Sequence, residues 1–405
     1  MGMATHNTRR QSKERGVMSI AALLSLGALF MYADRTVLYP MLEVIAAEFN
    51  LSGTATGFIT STYFLLYVIV QVPAGLLGDT LGLKKVLLVF YFLGGGALFL
   101  LGLLAQNYLF LIVLVGLHGI GMGAYYPTSY GINIGTVPKE QRGLASAVIN
   151  SGMSIGTALG LVLAGPIYLK TGNWRWPFLL LALPTMLIPL LFQRYLPDRQ
   201  EASPKAGGGD QTVDLKRILR DKDLWALNLS AFCAGYGFWV ALTWGPSFFA
   251  TERSLGLTKA GIFTAIPALA AIPAALFVGR LSDRVGRRRL ALILYPLQAI
   301  TIFALAYVTS VPVLIATLIL YGVIGRTVSD TVIISWFGDH VAEKSPAALG
   351  AAVGVFNLVG MSAAVIAPLI SGMVKDMTGS LAGAFYLGAL IVLAGMICTW
   401  ITSET

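Results

Sequence analysis

Twelve separate stretches of this 405-residue chain are each long and apolar enough to cross a bilayer as a helix, which takes about 20 residues. They lie near 17–39, 55–77, 86–105, 108–134, 142–169 and 174–195, and again near 223–250, 259–280, 290–309, 311–337, 346–373 and 380–402. The loops between them are mostly very short, as at Gln106-Asn107 and Thr309-Ser310. Only 12% of the residues are charged, against about 25% in a soluble domain. A mean hydropathy of +0.76 fits a protein whose surface faces lipid. The first apolar stretch, from Val17, is too long for a cleaved signal and reads as a retained span. The expected fold is therefore an all-α membrane protein.

The segment 197–222 interrupts this pattern with Pro204, the glycines 207–209 and the basic residues Lys216, Arg217 and Arg220. It reads as a linker. The expected organisation is a tail at 1–16, a six-helix bundle at 17–196, the linker at 197–222 and a second six-helix bundle at 223–402.

The net charge of +9 invites a nucleic-acid reading, but its distribution argues against one. Of the 28 lysines and arginines, 21 fall on the tail and on the loops facing the same side, five fall on the other side, and Arg35 and Arg326 lie within spans. By the positive-inside rule both termini face the cytoplasm, as expected in a cell inner or plasma membrane. Neither nucleic acid nor a soluble partner is implied, and a monomer suffices. Cys233 and Cys398 both sit in apolar runs, so no disulfide or zinc framework is expected. No phosphate-binding loop or metal-ligand spacing is present, which argues against an enzyme and calls for no cofactor.

The two halves repeat each other. Gly75-Leu76-Leu77-Gly78-Asp79-Thr80-Leu81-Gly82-Leu83-Lys84-Lys85 is matched by Gly279-Arg280-Leu281-Ser282-Asp283-Arg284-Val285-Gly286-Arg287-Arg288-Arg289, and Gly75 and Gly279 stand 204 positions apart. This loop resembles the signature of the major facilitator superfamily, and the first copy departs from it at Thr80 and Leu83. The resemblance implies two pseudo-symmetric six-helix bundles that rock about a midplane site by alternating access. It also implies a latch between the bundles on the terminal side, built from Asp79, Asp283, Arg284 and Arg287.

Other segments resemble the anion:cation symporters within that superfamily, with spinster-like transporters as near relatives. They are Tyr32-Ala33-Asp34-Arg35-Thr36 followed by Pro40, then Gly119 to Pro127, Asn173-Trp174-Arg175-Trp176-Pro177-Phe178, Trp244-Gly245-Pro246, and Asp376-Met377-Thr378-Gly379-Ser380. This likeness implies secondary transport of a small carboxylate with a coupling cation, most simply a proton. The alternative is export of lipophilic or lysolipid-like compounds, favoured by Met122 where those symporters often carry glutamate. A non-transporting receptor would tolerate loss of both intramembrane arginines.

A charge at bilayer depth costs at least about 2.5–3.5 kcal/mol, so it calls for a partner or a cavity. Tyr32, Arg35 and Tyr39 share one helix face, where a guanidinium can take a carboxylate with two parallel hydrogen bonds. The structural alternative is neutralisation of Arg35 by Asp34 or by a helix C-terminus near the outer interface. Asp34 itself points about 100° away around the helix. In the resembled family the arginine contacts substrate and the acid serves proton coupling. Arg326 and Asp330 stand four apart, and form either a second anion contact with its switch or a simple ion pair. His118 is a further candidate for the coupling proton, against the plainer role of hydrogen-bond donor. Tyr63, Tyr67, Tyr125, Tyr236, Trp239 and Asn357 complete the expected substrate cavity, with Trp244 and Asn150 nearby. Gly235, Gly237, Gly245 and Pro246 mark span 7 as a place for a bend and a gate.

Overall fold

The computed structural model describes residues 2–198, 220–344 and 349–403. Most of the expected linker, and the side chains of the expected tail, lie outside them. Within the described residues eleven helical segments are long and apolar enough to cross a membrane, and Val311–Gly325 is a shorter apolar helix in the place of the tenth span. The twelve crossings put both termini at one face, called here the terminal face.

Three spans are broken, for reasons the sequence supplies. Helix α1 (Gly2–Thr36) gives way at Val37 to α2 (Leu38–Phe49). Pro40 lacks the N–H that would reach back to Thr36, and its ring crowds that carbonyl. After α3 (Gly53–Leu81) and α4 (Leu83–Leu104), the fourth span divides at Ala124 into α5 (Tyr108–Gly123) and α6 (Tyr125–Thr136). Pro127 stands in the same relation to Gly123. Helices α7 (Arg142–Thr171) and α8 (Arg175–Tyr195) close the first half.

The second half begins with α9 (Lys222–Thr251), continuous through Gly245 and Pro246, so the bend expected in span 7 does not interrupt its helix. It packs tightly at Gly237, where a methyl group would overlap Ile302 and Val392. Then come α10 (Gly256–Val285), α11 (Arg287–Tyr307), α12 (Val311–Thr327), α13 (Ile334–Lys344), α14 (Leu349–Thr378) and α15 (Ala382–Ile401). Between α12 and α13 the tenth span loosens into a π-helical turn, Val328–Ile333.

The repeat read from the loops extends to backbone and side chains. Gly82 and Gly286, again 204 apart, end α3 and α10 with φ of 91° and 93°, a left-handed conformation that glycine adopts without strain. The Tyr91 hydroxyl donates to the Gly27 carbonyl, and its counterpart Tyr295 donates to the Ser230 carbonyl, each at 2.8 Å. Glu48 receives the Trp174 indole N–H and the Arg175 guanidinium, while its counterpart Glu252 receives the Ser380 hydroxyl and the Leu381 N–H. Side chains such as Ile69, Val72, Leu190, Phe277, Ile300 and Leu390 are exposed around the outside, forming the lipid-facing surface. The halves meet where α3 lies along α14 and α7 along α10.

Candidate functional site

At mid-depth, α1, α3 and α9 bring a guanidinium and a group of aromatic rings together between the halves. Arg35 is 5% exposed. Its guanidinium carbon lies 4.0 Å from the Tyr32 ring centroid, 5.3 Å from Phe64 and 5.5 Å from Trp239. Such contacts are worth about 0.5–2 kcal/mol each. Among the described residues Arg35 forms no ion pair, and its Nε–H has no acceptor. Tyr63 stacks on Tyr67 at 5.9 Å and meets Phe64 edge-on at 5.1 Å. Phe64 meets Trp239 at 4.4 Å, a ring contact that crosses from one half to the other. Among the described residues, the buried hydroxyls of Tyr39, Tyr63 and, on α9, Tyr236 have no hydrogen-bond partner.

Asp34 does not neutralise Arg35. It is 1% exposed and has no ion-pair partner among the described residues. Its carboxyl faces the Thr185 hydroxyl of α8, which also reaches the Leu181 carbonyl. The two adjacent residues thus address different neighbours, as their angular separation on the helix requires.

His118 is buried beside Tyr63 at 5.3 Å. Its Nδ1 lies 2.9 Å from the Gly94 carbonyl, which places a proton on that nitrogen and leaves Nε2 bare. Met122 fills the space over Gly94. Tyr125 donates to the Leu24 carbonyl and lies against Tyr91. Tyr130 donates to Asn150. Asn357 donates to Gln71 across the α3–α14 interface at 3.0 Å. The side chains of Arg326 and Asp330 lie outside the described residues.

The expected latch residues keep to their own halves. Asp79 is exposed and makes no described hydrogen bond or ion pair, and Arg284 is also exposed. Arg287 pairs with Asp339 and stands 4.0 Å from Asp283. None of their described contacts joins the two bundles. Toward the terminal face, a methyl group at Gly350, Gly354 or Gly360 of α14 would meet nothing within 4 Å. On the same face Lys344 binds Asp221 and Asp223 at 2.9 and 3.2 Å. Partial burial works against its charge, but these two hydrogen-bonded carboxylates outweigh it and hold the ammonium above the ordinary lysine range.

At the opposite face the halves are clamped. Lys375 donates to both Glu43 oxygens at 2.6 and 2.8 Å. The Asp376 carboxylate accepts the N–H groups of Gly53 and Thr54 and the Thr54 hydroxyl, at 2.6, 2.8 and 2.6 Å, capping α3 from the other half. Ser61 donates to the Val365 carbonyl, and methyl groups at Gly57 or Gly372 would overlap the facing backbone. Trp244 supports this side by donating to the Pro368 carbonyl. Sequence reasoning passed over Phe64, Glu43 and Lys375, and gave Asp376 no role. The signal for Phe64 was its place beside Tyr63 and Tyr67, but which rings reach Arg35 depends on how the halves dock.

Residues 24–368 match the Major Facilitator Superfamily. Among similar proteins, the voltage-gated purine nucleotide uniporter SLC17A9 of Mus musculus is 27% identical over 92% of this chain and 87% of its own length. The probable sulfoacetate transporter SauU of Cupriavidus necator is 27% identical over 94% of this chain and 92% of its own. The probable galactarate/D-glucarate transporter GarP of Escherichia coli is 25% identical over 95% of each. A solved bacterial homolog of the human lysosomal transporter Spinster, inward-facing and unoccupied, superposes with a TM-score of 0.76 over 96% of this chain and 95% of its own, at 16% identity. That likeness is one of fold.

Proposed function

Because the chain belongs to the Major Facilitator Superfamily, and is a transporter and not an enzyme, we propose that it moves a small organic carboxylate across the membrane by alternating access, coupled to protons. The observation that carries this reading is Arg35: a buried guanidinium between the halves, with no carboxylate partner among the described residues. Burying an unpaired charge is expensive, and an anionic substrate relieves that expense each time it binds. The relatives named for sulfoacetate and galactarate/D-glucarate support an organic anion as cargo.

Asp34 is the first candidate for the coupling proton. A buried carboxyl with no ion-pair partner among the described residues can take up a proton in one state and release it in another, when the halves move and water reaches it. His118, with Nε2 bare, is the second. The charge bias of the loops supports a cytoplasmic terminal face.

Export of lipophilic compounds remains the second reading. It is favoured by an apolar cavity within the C-terminal half, bounded by Leu242, Phe249, Pro267, Leu318 and Tyr321, with Thr157 of the other half at its edge. The test is uptake of labelled carboxylates into proteoliposomes, with and without an inward proton gradient, in the parent and in Arg35→Ala. Gradient-driven uptake that collapses in the variant is the expected result. Absence of carboxylate flux, with lysolipid flux indifferent to Arg35, would overturn it.

A further inference from the structure

Resting on the reading of Arg35 as the anion contact, we propose that the substrate carries its carboxylate on a flat, unsaturated body, and that Trp239 is the residue that selects it. The inference starts from the repeat. The offset of 204 that relates Gly82 to Gly286 and Glu48 to Glu252 also relates Tyr32 to Tyr236 and Arg35 to Trp239. Equivalent positions on α1 and α9 face the axis between the halves. The fold therefore sets a guanidinium on one wall and an indole on the opposite wall, 5.5 Å away, each three residues after a tyrosine. Where the cation has a symmetry mate, that mate is an aromatic ring.

The two walls ask for different chemistry at the two ends of one molecule. Tyr32 and Phe64 lie against the guanidinium, at 4.0 and 5.3 Å, which leaves its N–H edge for a carboxylate. The hydroxyls of Tyr39 and Tyr63, close to Arg35 and without a hydrogen-bond partner among the described residues, supply further donors. The other wall is the Phe64–Trp239 pair, with centroids 4.4 Å apart at 60°. A flat ring that enters there exchanges one aromatic contact for two. A sugar acid would carry several hydroxyl groups around its rim into a wall where Phe64 offers no polar group, and burying them without partners is costly. A polyphosphate brings several charges to a place where Arg35 is the cation among the described residues.

The experiment compares benzoate with D-glucuronate in proteoliposomes, subtracting the passive flux of protein-free vesicles, with each compound also competing against the other. The parent should half-saturate with benzoate at a concentration about 2–12-fold below that for glucuronate, the order of one aromatic contact. Trp239→Leu should lose most of that preference and Trp239→Phe should keep it. Glucuronate transported as well as benzoate or better, with Arg35 still required, would overturn the substrate class and leave the anion reading standing. A preference for benzoate unchanged in Trp239→Leu would overturn the selecting role. No Arg35-dependent flux of either compound would remove the anion reading and this inference with it.

Discussion

Replacing Asp376 by alanine removes three hydrogen bonds that tie the C-terminal half to the start of α3, and the size of the effect follows from their geometry. The carboxylate accepts from Gly53 N, Thr54 N and the Thr54 hydroxyl at 2.6, 2.8 and 2.6 Å. Hydrogen bonds to a charged group are worth about 1.5–3 kcal/mol each when buried. Asp376 is exposed, so water replaces part of that, and loss of a helix cap, about 0.5–2 kcal/mol, is the better guide. A net loss of about 1–2 kcal/mol from the state closed at this face corresponds to about a 5–30-fold shift of the equilibrium between closed and open. The assay is pulsed electron–electron spin resonance with labels at Gln106 and Met377, exposed positions on the two halves at this face, in a background without Cys233 and Cys398. The Asp376→Ala distribution should move to longer distances by that population ratio. Thr54→Val should move it less, and the double variant no further than Asp376→Ala, since both act through one cap. A folded Asp376→Ala protein with an unchanged distribution would refute the argument that this cap holds the halves together.

Gly372→Ala should push the same equilibrium in the same direction, because the new methyl overlaps the Gly53 backbone; the same label pair reads it out. Arg35→Met should raise the thermal unfolding midpoint in detergent while abolishing carboxylate uptake, since replacing an uncompensated buried charge by an apolar side chain of similar length removes its desolvation penalty. A lowered midpoint would mean that the charge is compensated. Lys344→Met should destabilise the protein at neutral pH. Because folding raises the lysine's pKa, the stabilisation it contributes is complete below the ordinary lysine value, about 10.4, and fades as pH rises through the higher folded value. Parent and variant melting temperatures should therefore converge in strong alkali.

The sequence makes the membrane spans legible because lipid imposes a length on each one, and the pattern survives uncertainty in any boundary. It makes the repeat legible because Gly82 and Gly286 must both adopt a positive φ, which preserves the residue type in both copies. Arg35 stands out because a charge in an apolar run needs a reason. The company it keeps is less legible. Phe64 and Trp239 lie on other helices, Trp239 in the other half, and their place beside the guanidinium is set by docking of the halves. The clamp at the opposite face joins Glu43 to Lys375 and Thr54 to Asp376, pairs more than 300 residues apart in the chain. Local pattern cannot pair them. The signature loops were legible as a motif, but their bonding depends on which face of the molecule is closed, and that is a property of the state and not of the motif.

The repeat also explains why the cation should have an indole and not a second cation opposite it. Symmetric positions on α1 and α9 come within 5.5 Å of one another. Two guanidinium groups at that separation would repel by about 3 kcal/mol at an effective dielectric constant of about 20. Without substrate, that repulsion would spread the halves apart. With an anion bound between them, both charges would hold it, and release would be slow. One guanidinium facing Trp239 draws the halves together through a weaker cation–π contact, which an anion's flat body can replace without trapping the molecule. The paired positions that keep their chemistry, Tyr91 with Tyr295 and Glu48 with Glu252, anchor helices within each half. The pair that departs from it, Arg35 with Trp239, lies between the halves, at the place proposed for the cargo.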